Sequence, residues 1–169
     1  HMDNPDHQLY RSLTQKWFAP PNLESLKKDI RNIAKEYVNK MVDHGNECDF
    51  AKDVAIFYPL RVIMSILGVP KEDEPRMLRL TQELFGGRDE DMIRDESETS
   101  SESNTITDFF EYFNSLTEDR RKNPTNDVSS VIANAKINNE QLGHLEAMSY
   151  YIIIATAGHD TTSSSTAGG

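Results

Sequence analysis

The stretch Tyr150-Tyr151-Ile152-Ile153-Ile154-Ala155-Thr156-Ala157-Gly158-His159-Asp160-Thr161-Thr162 decides how the rest of this chain is read. Its apolar opening, Tyr150 to Ala155, predicts a buried helix by its length and setting. An acid followed directly by a hydroxyl, with a glycine two residues before the acid, is unusual inside such a helix. Glycine costs a helix about 1 kcal/mol, and threonine and serine are also poor helix formers, so these residues persist only where packing or a site needs them. Gly158 would let something large and flat approach the backbone closely. The Thr161 hydroxyl can bond back to the carbonyl of Ala157, which weakens the ladder and is expected to open the turn. A loosened turn beside an acid and an alcohol is a place to hold water and pass protons.

Upstream, the chain reads as helix after helix. Residues 22–44 carry Leu23, Leu26, Ile30, Ile33, Tyr37 and Met41 at spacings of three and four with charges between them, an amphipathic helix capped by Asn22 and stopped by Gly45. Residues 50–67 form a second, more apolar helix that Pro59 is expected to kink, ending at Leu67-Gly68-Val69-Pro70. Lys71-Glu72-Asp73-Glu74-Pro75 starts a third, broken by Gly86-Gly87. Residues 89–103 hold seven acids against Arg94 and cannot bury much, so about 87–104 are expected to be a mobile acidic loop. Thr105-Ile106-Thr107-Asp108 reads as a capping box opening a helix with Phe109, Phe110 and Phe113. Residues 128–135 read as a short helix, 136–139 as a small hairpin, and the last helix as starting near Glu140. The fold class is all-α with small β elements only.

Composition narrows the function. A formal charge of −10 and a pI near 4.9 argue against nucleic acid or an anionic membrane as the main partner. The single cysteine, Cys48, allows no disulfide framework and no cysteine-rich metal site within the chain. No run approaches the roughly 20 apolar residues of a membrane span, and the expectation is a cytoplasmic protein. There is no H-E-x-x-H, no Glu-x-x-His, no G-x-x-x-x-G-K-[ST] and no G-x-S-x-G. His159 and Asp160, as neighbours on a helix, point about 100° apart and do not form a catalytic dyad.

Near the start, Asp3-Asn4-Pro5-Asp6 reads as a turn leading into a helix that ends at Ala19-Pro20-Pro21. His7 and Arg11 are four apart and share one face of it. Two such side chains invite an anion, which arginine holds in a fork. Spacing alone favours the blander alternative of a polar surface pair.

Four stretches together resemble the cytochrome P-450 haem-thiolate monooxygenases. Ala157-Gly158-His159-Asp160-Thr161-Thr162 is similar to the family's oxygen-activation motif, A/G-G-x-D/E-T-T. Asp3-Asn4-Pro5-Asp6-His7 through Arg11 resembles D-P-P-x-H-x-x-x-R, with Asn4 in place of the first proline, and Phe18-Ala19-Pro20 resembles F-T-P. Pro59 to Ile63 with Leu67-Gly68-Val69-Pro70 matches a P-x-x-V-I and L-G-V-P pair, and Pro124 to Val128 resembles P-x-D-D-L. The order is the family's, and it covers almost the whole chain.

The resemblance implies a mainly helical, incomplete part of the P-450 fold over residues 1–169, from the propionate-binding helix to the central helix, with the acidic loop and its two flanking helices forming a substrate-entry lid. It implies a heme (heme b) cofactor and insertion of one oxygen atom from O2 into a hydrophobic small molecule, with two electrons from a ferredoxin-type redox partner. His7 and Arg11 would bind the haem propionates. Ala157 and Gly158 would make room beside the haem, and Asp160 and Thr161 would relay protons to O2. The iron's cysteine ligand would lie outside this chain, since no F-x-x-G-x-x-x-C surrounds Cys48. By itself the stretch would be inactive. The runs 49–85 and 155–169 look most like the terpineol hydroxylase branch of bacterial members, which points to a terpenoid, a sterol side chain or an alkyl group as substrate. The competing reading is a non-catalytic, all-helical interaction module with an acidic flexible loop.

Overall fold

The computed structural model describes residues 6–43, 45, 47–85 and 99–168. Along the chain come α1 (Asp6–Gln15), α2 (Pro20–Asp43), a π-helical turn (Ala51–Ala55), α3 (Phe57–Ile66), α4 (Glu74–Phe85), α5 (Thr99–Lys122), α6 (Val128–Asn134), a hairpin of β1 (Lys136–Ile137) and β2 (Glu140–Gln141), and α7 (His144–Gly168). The mainly helical expectation holds.

The core is organised on α7. Ala147, Met148, Tyr151 and Ala155 recur at one, three and four and are all buried, giving α7 an apolar stripe. The same core cluster holds Ile63 and Met64 of α3 with Leu67 just after it, Met77 and Leu80 of α4, and Phe109, Phe113 and Leu116 of α5, and α3 and α5 pack on α7 directly. Tyr151 stacks on Phe113 with ring centroids 4.4 Å apart, and its hydroxyl lies 2.9 Å from that of Thr117. Burying each such large side chain contributes about 1.5–3 kcal/mol, and the paired hydroxyls remove the cost of an unsatisfied phenol. A second, smaller cluster of Ile33, Tyr37 and Val54 sits under α2.

Several boundaries differ from the sequence reading, each for a local reason. The helix expected from Asn22 opens at Pro20, which suits a first turn whose amides have no helical acceptor; the Asn22 side chain instead donates to the Trp17 carbonyl at 2.9 Å. Gly45 does end the segment, at φ +91°. Pro59 does not kink a long helix. The break lies before it, where the Ile56 amide closes the wide turn onto the Ala51 carbonyl at 3.3 Å, and Pro59 falls in the first turn of α3. The opening of α5 is not at Thr105. That residue is buried inside the helix, with its hydroxyl bonded to Glu83 at 3.0 Å across to α4. Of the expected acidic loop, 99–104 are therefore helical, while Gly86-Gly87 and the rest up to residue 98 lie outside the described residues, as does the turn at Asp3-Asn4-Pro5.

The last helix begins at His144 rather than Glu140, because Glu140 pairs with Ile137 in the hairpin. Asn138 and Asn139 turn that hairpin at φ 52° and 68°, the left-handed pair that a two-residue turn demands. The end of α3 follows its glycine. Gly68 adopts φ +68°, and the Val69 and Gly68 amides return to the carbonyls of Met64 and Ser65, at 3.0 and 3.1 Å.

Candidate active site

The motif residues 157–162 lie in the second half of α7, and the helix runs through them unbroken to Gly168. The turn expected to open at Thr161 therefore keeps its α-helical form. Back-bonding hydroxyls are accommodated along the whole element: Ser149 onto Leu145, Thr156 onto Ile152, Ser165 onto Thr161 and Thr166 onto Thr162, at 2.7–2.9 Å. These bonds satisfy serines and threonines locally, which is how so polar a sequence stays helical. Ser163-Ser164-Ser165 belongs to this helix rather than to a loose tail.

Gly158 meets a requirement of its own. A Cβ built there would stand 2.7 Å from Ile63 Cδ1 and 2.9 Å from Ile63 Cγ1. The glycine thus lets α3 and α7 cross closely at the motif. Thr161, three residues on, is exposed. The side chains of His7, Ala157, His159 and Asp160 lie outside the described ones, so for these the backbone register is what is known.

That register groups them. Glu146, Tyr150, Ile153, Ala157 and Thr161 follow one another at four, three, four and four along α7, a single stripe beside the core-facing one. Its first turns dock α1. The Tyr10 hydroxyl donates to Glu146 Oε1 at 2.6 Å, and the Tyr150 hydroxyl donates to the Tyr10 carbonyl at 2.5 Å. Glu146 also accepts the Gly143 amide at 2.8 Å, closing the start of α7. The Tyr10 hydroxyl, and then the Gly143 amide, hold the Glu146 carboxyl below its usual range. Burial, with Tyr10 and Glu146 nearby, pushes the Tyr150 phenol up to about 12, so it stays a donor.

Beyond this junction the stripe carries Ile153, 60% exposed despite its size, and then the motif. From Tyr150 to Thr161 is about 16 Å along the axis. Arg11, next to the docked Tyr10, is exposed and has no hydrogen bond or ion pair with any described residue. One side of α7 therefore presents, in order, the docked helix that carries the exposed Arg11, an exposed apolar step, and an exposed alcohol at the motif. That arrangement fits a flat apolar group with an anionic edge. The anion would lie on Arg11, one turn from His7, and the flat face along α7.

A cavity elsewhere is a different place. About 510 Å³ in volume, it is bounded by α2, α3, α4 and the π-helical turn, and Tyr37, Met41, Cys48, Arg61 and Glu74 are among its walls. No motif residue lines it. Its Arg61 is already held, with Nε 2.7 Å from Glu74 and an Nη 3.3 Å from Glu36. Cys48 is exposed there. Among the described residues no cluster of His, Cys, Asp and Glu could hold a metal ion, and no helix is long and apolar enough to cross a membrane.

Two features escaped the sequence. The Tyr10–Glu146–Tyr150 junction joins residues about 140 apart, and nothing local marks it. The other is a corner where Arg120 bonds Asp127 at 2.7 Å and the Gly68 carbonyl at 2.8 Å. Its glycine and its aspartate both sit in stretches noted for the resemblance, although their meeting was not foreseen.

No family model matches the chain. The chain is 45% identical, over 99% of its length, to Cytochrome P450-terp of Pseudomonas sp, covering 41% of that protein. It is 30% identical to the methyl-branched lipid omega-hydroxylase of Mycobacterium tuberculosis, over 95% of this chain and 37% of the other. Among solved structures, CYP108D1 from Novosphingobium aromaticivorans is 48% identical and superposes with a TM-score of 0.80 over 96% of this chain and 37% of that one. The chain thus spans about two fifths of the length of the curated relatives it matches.

Proposed function

This chain belongs to the cytochrome P-450 family, as a stretch of its helical part, and on that footing we propose that it serves a haem-dependent monooxygenase that hydroxylates a hydrophobic small molecule. The single observation that carries this is the stripe on α7, which runs from the docked Tyr10, the neighbour of the exposed Arg11, to the exposed Thr161 along one side of one helix. Residues 1–169 form one partial domain in this reading, and the electrons come from a ferredoxin-type partner.

Haem, when bound, supplies the iron at which O2 is activated, through a cysteine ligand outside this chain. The residues here do the rest. Arg11 and His7 bind the propionates, with the guanidinium giving a charge-assisted pair of donors. Ala157 and Gly158 keep the helix surface low beside the macrocycle, and the glycine holds α3 close at the same time. Thr161 would donate a hydrogen bond where oxygen is bound, and Asp160 would supply the proton from the next helix position. Ile153 forms part of the apolar wall. A relative named for methyl-branched lipids and another named for terp support an alkyl or terpenoid substrate, and a sterol side chain has the same chemistry.

The test is Thr161→Ala in the full-length protein. Haem binding should persist, while product per electron consumed falls on the order of tenfold and hydrogen peroxide rises in its place. Equal product yield per electron in mutant and wild type would remove Thr161 from the proton path.

A further inference from the structure

We propose that Tyr10, Glu146 and Tyr150 are positioning residues that fix where Arg11 and His7 stand relative to the motif; this rests on the haem reading above. Helix α1 has only ten residues, too few to be stable alone. Gln8, Leu9, Arg11 and Ser12 are exposed, while Tyr10 and Leu13 pack against the core and the helix lies along α6 and β1. Its polar tie to α7 is made at Tyr10. There the Tyr10 hydroxyl donates to Glu146 at 2.6 Å, and the Tyr10 carbonyl receives the Tyr150 hydroxyl at 2.5 Å. One residue is gripped at both its side chain and its backbone.

The consequence follows from helix geometry. Arg11 is the next residue and His7 lies three before Tyr10, so a rotation of α1 that frees Tyr10 carries both away together. Glu146 and Tyr150 belong to the same α7 stripe as Ala157 and Thr161. The grip therefore refers the anion-binding face directly to the helix that carries the motif, with no loop between them. Glu146 is also tied to the Gly143 amide, which fixes its carboxylate before Tyr10 arrives. A charged acceptor preordered in this way makes the stronger kind of hydrogen bond.

The experiment measures the rate at which full-length holoprotein loses haem to excess apomyoglobin. The variants are Tyr10→Phe, Glu146→Ala, Arg11→Ala, and Tyr10→Phe combined with Arg11→Ala. Tyr10→Phe and Glu146→Ala should each speed haem loss about threefold or more, in keeping with a hydrogen bond to a charged group. If Tyr10 acts through Arg11 and His7, Tyr10→Phe should speed haem loss less in the Arg11→Ala background than in the wild type. Thr117→Val, which removes the buried hydroxyl partner of Tyr151, controls for plain loss of stability. It should lower Tm and leave haem loss unchanged. Wild-type rates in Tyr10→Phe and Glu146→Ala, or additive effects with Arg11→Ala, would overturn the positioning role while leaving the haem reading intact. A wild-type protein that holds no haem would overturn both.

Discussion

Gly158 shows how far a single position can be read. Its occurrence before Asp160 marked it as a site of close approach, and close approach is what the structure has, with α3 as the neighbour. A methyl group there would overlap Ile63, which is only 5% exposed and has little room to swing. Alanine gains about 1 kcal/mol of helix propensity over glycine, and overpacking costs about 1–3 kcal/mol. Gly158→Ala should therefore lower stability by about 1 kcal/mol in chemical denaturation. Adding Ile63→Ala should make the pair less costly than the two singles summed, whereas strict additivity would mean that Ile63 is not what the methyl meets. Around Thr161 the backbone was misread. The opened turn was inferred from one back-bonding hydroxyl, whereas α7 absorbs several of them without leaving the α form. Tyr10 was passed over because its value comes from Glu146 and Tyr150, which periodicity near residue 10 cannot display.

Elements were legible where a residue has only one conformational use, and misplaced where it has two. Gly68 and the Asn138-Asn139 pair were read correctly because positive φ leaves few alternatives. Pro59 was misread because proline can either kink a helix or begin one, and burial in the first turn of α3 decided for the second. Thr105 has the pattern of a cap, yet a partner on α4 draws it into a helix interior.

The corner of Gly68, Arg120 and Asp127 makes its own predictions. A Cβ at Gly68 would fall 2.0 Å from Asp127 Oδ2 on a left-handed backbone, so Gly68→Ala should cost at least about 2 kcal/mol. Burial pushes the Asp127 carboxyl up, but the hydrogen bonds from Thr125, Arg120 and Ser130 outweigh it and hold the pKa below its usual value. A depressed carboxylate contributes stability above its unfolded pKa of about 3.9, and that contribution is lost as pH falls through the lower folded value. Asp127→Asn should thus cost about 2–3 kcal/mol at pH 7, since it leaves the largely buried Arg120 with only the more exposed Asp119 as counter-ion. The gap to wild type should narrow below about pH 4. A gap independent of pH in thermal melts would show that the charge is not what matters there.

At the scale of the molecule, one helix organises the core and carries the candidate site. The stripe of α7 that faces α3 and α5 is filled by the chain's own residues, while the neighbouring stripe runs from the docked α1 over the exposed Ile153 to Thr161. The order of motifs along the sequence made this fold class readable, since each fixes a helix end or a helix face. The docking of α1 was not readable, because it is a long-range contact between polar side chains. The measurement that bears most directly on the central claim is the absorption spectrum of the purified full-length protein, reduced and exposed to carbon monoxide. A haem Soret band with the red shift that thiolate ligation produces is the expected result. A protein that purifies without haem and takes none up, or one whose band is that of a histidine-ligated haem, would contradict it.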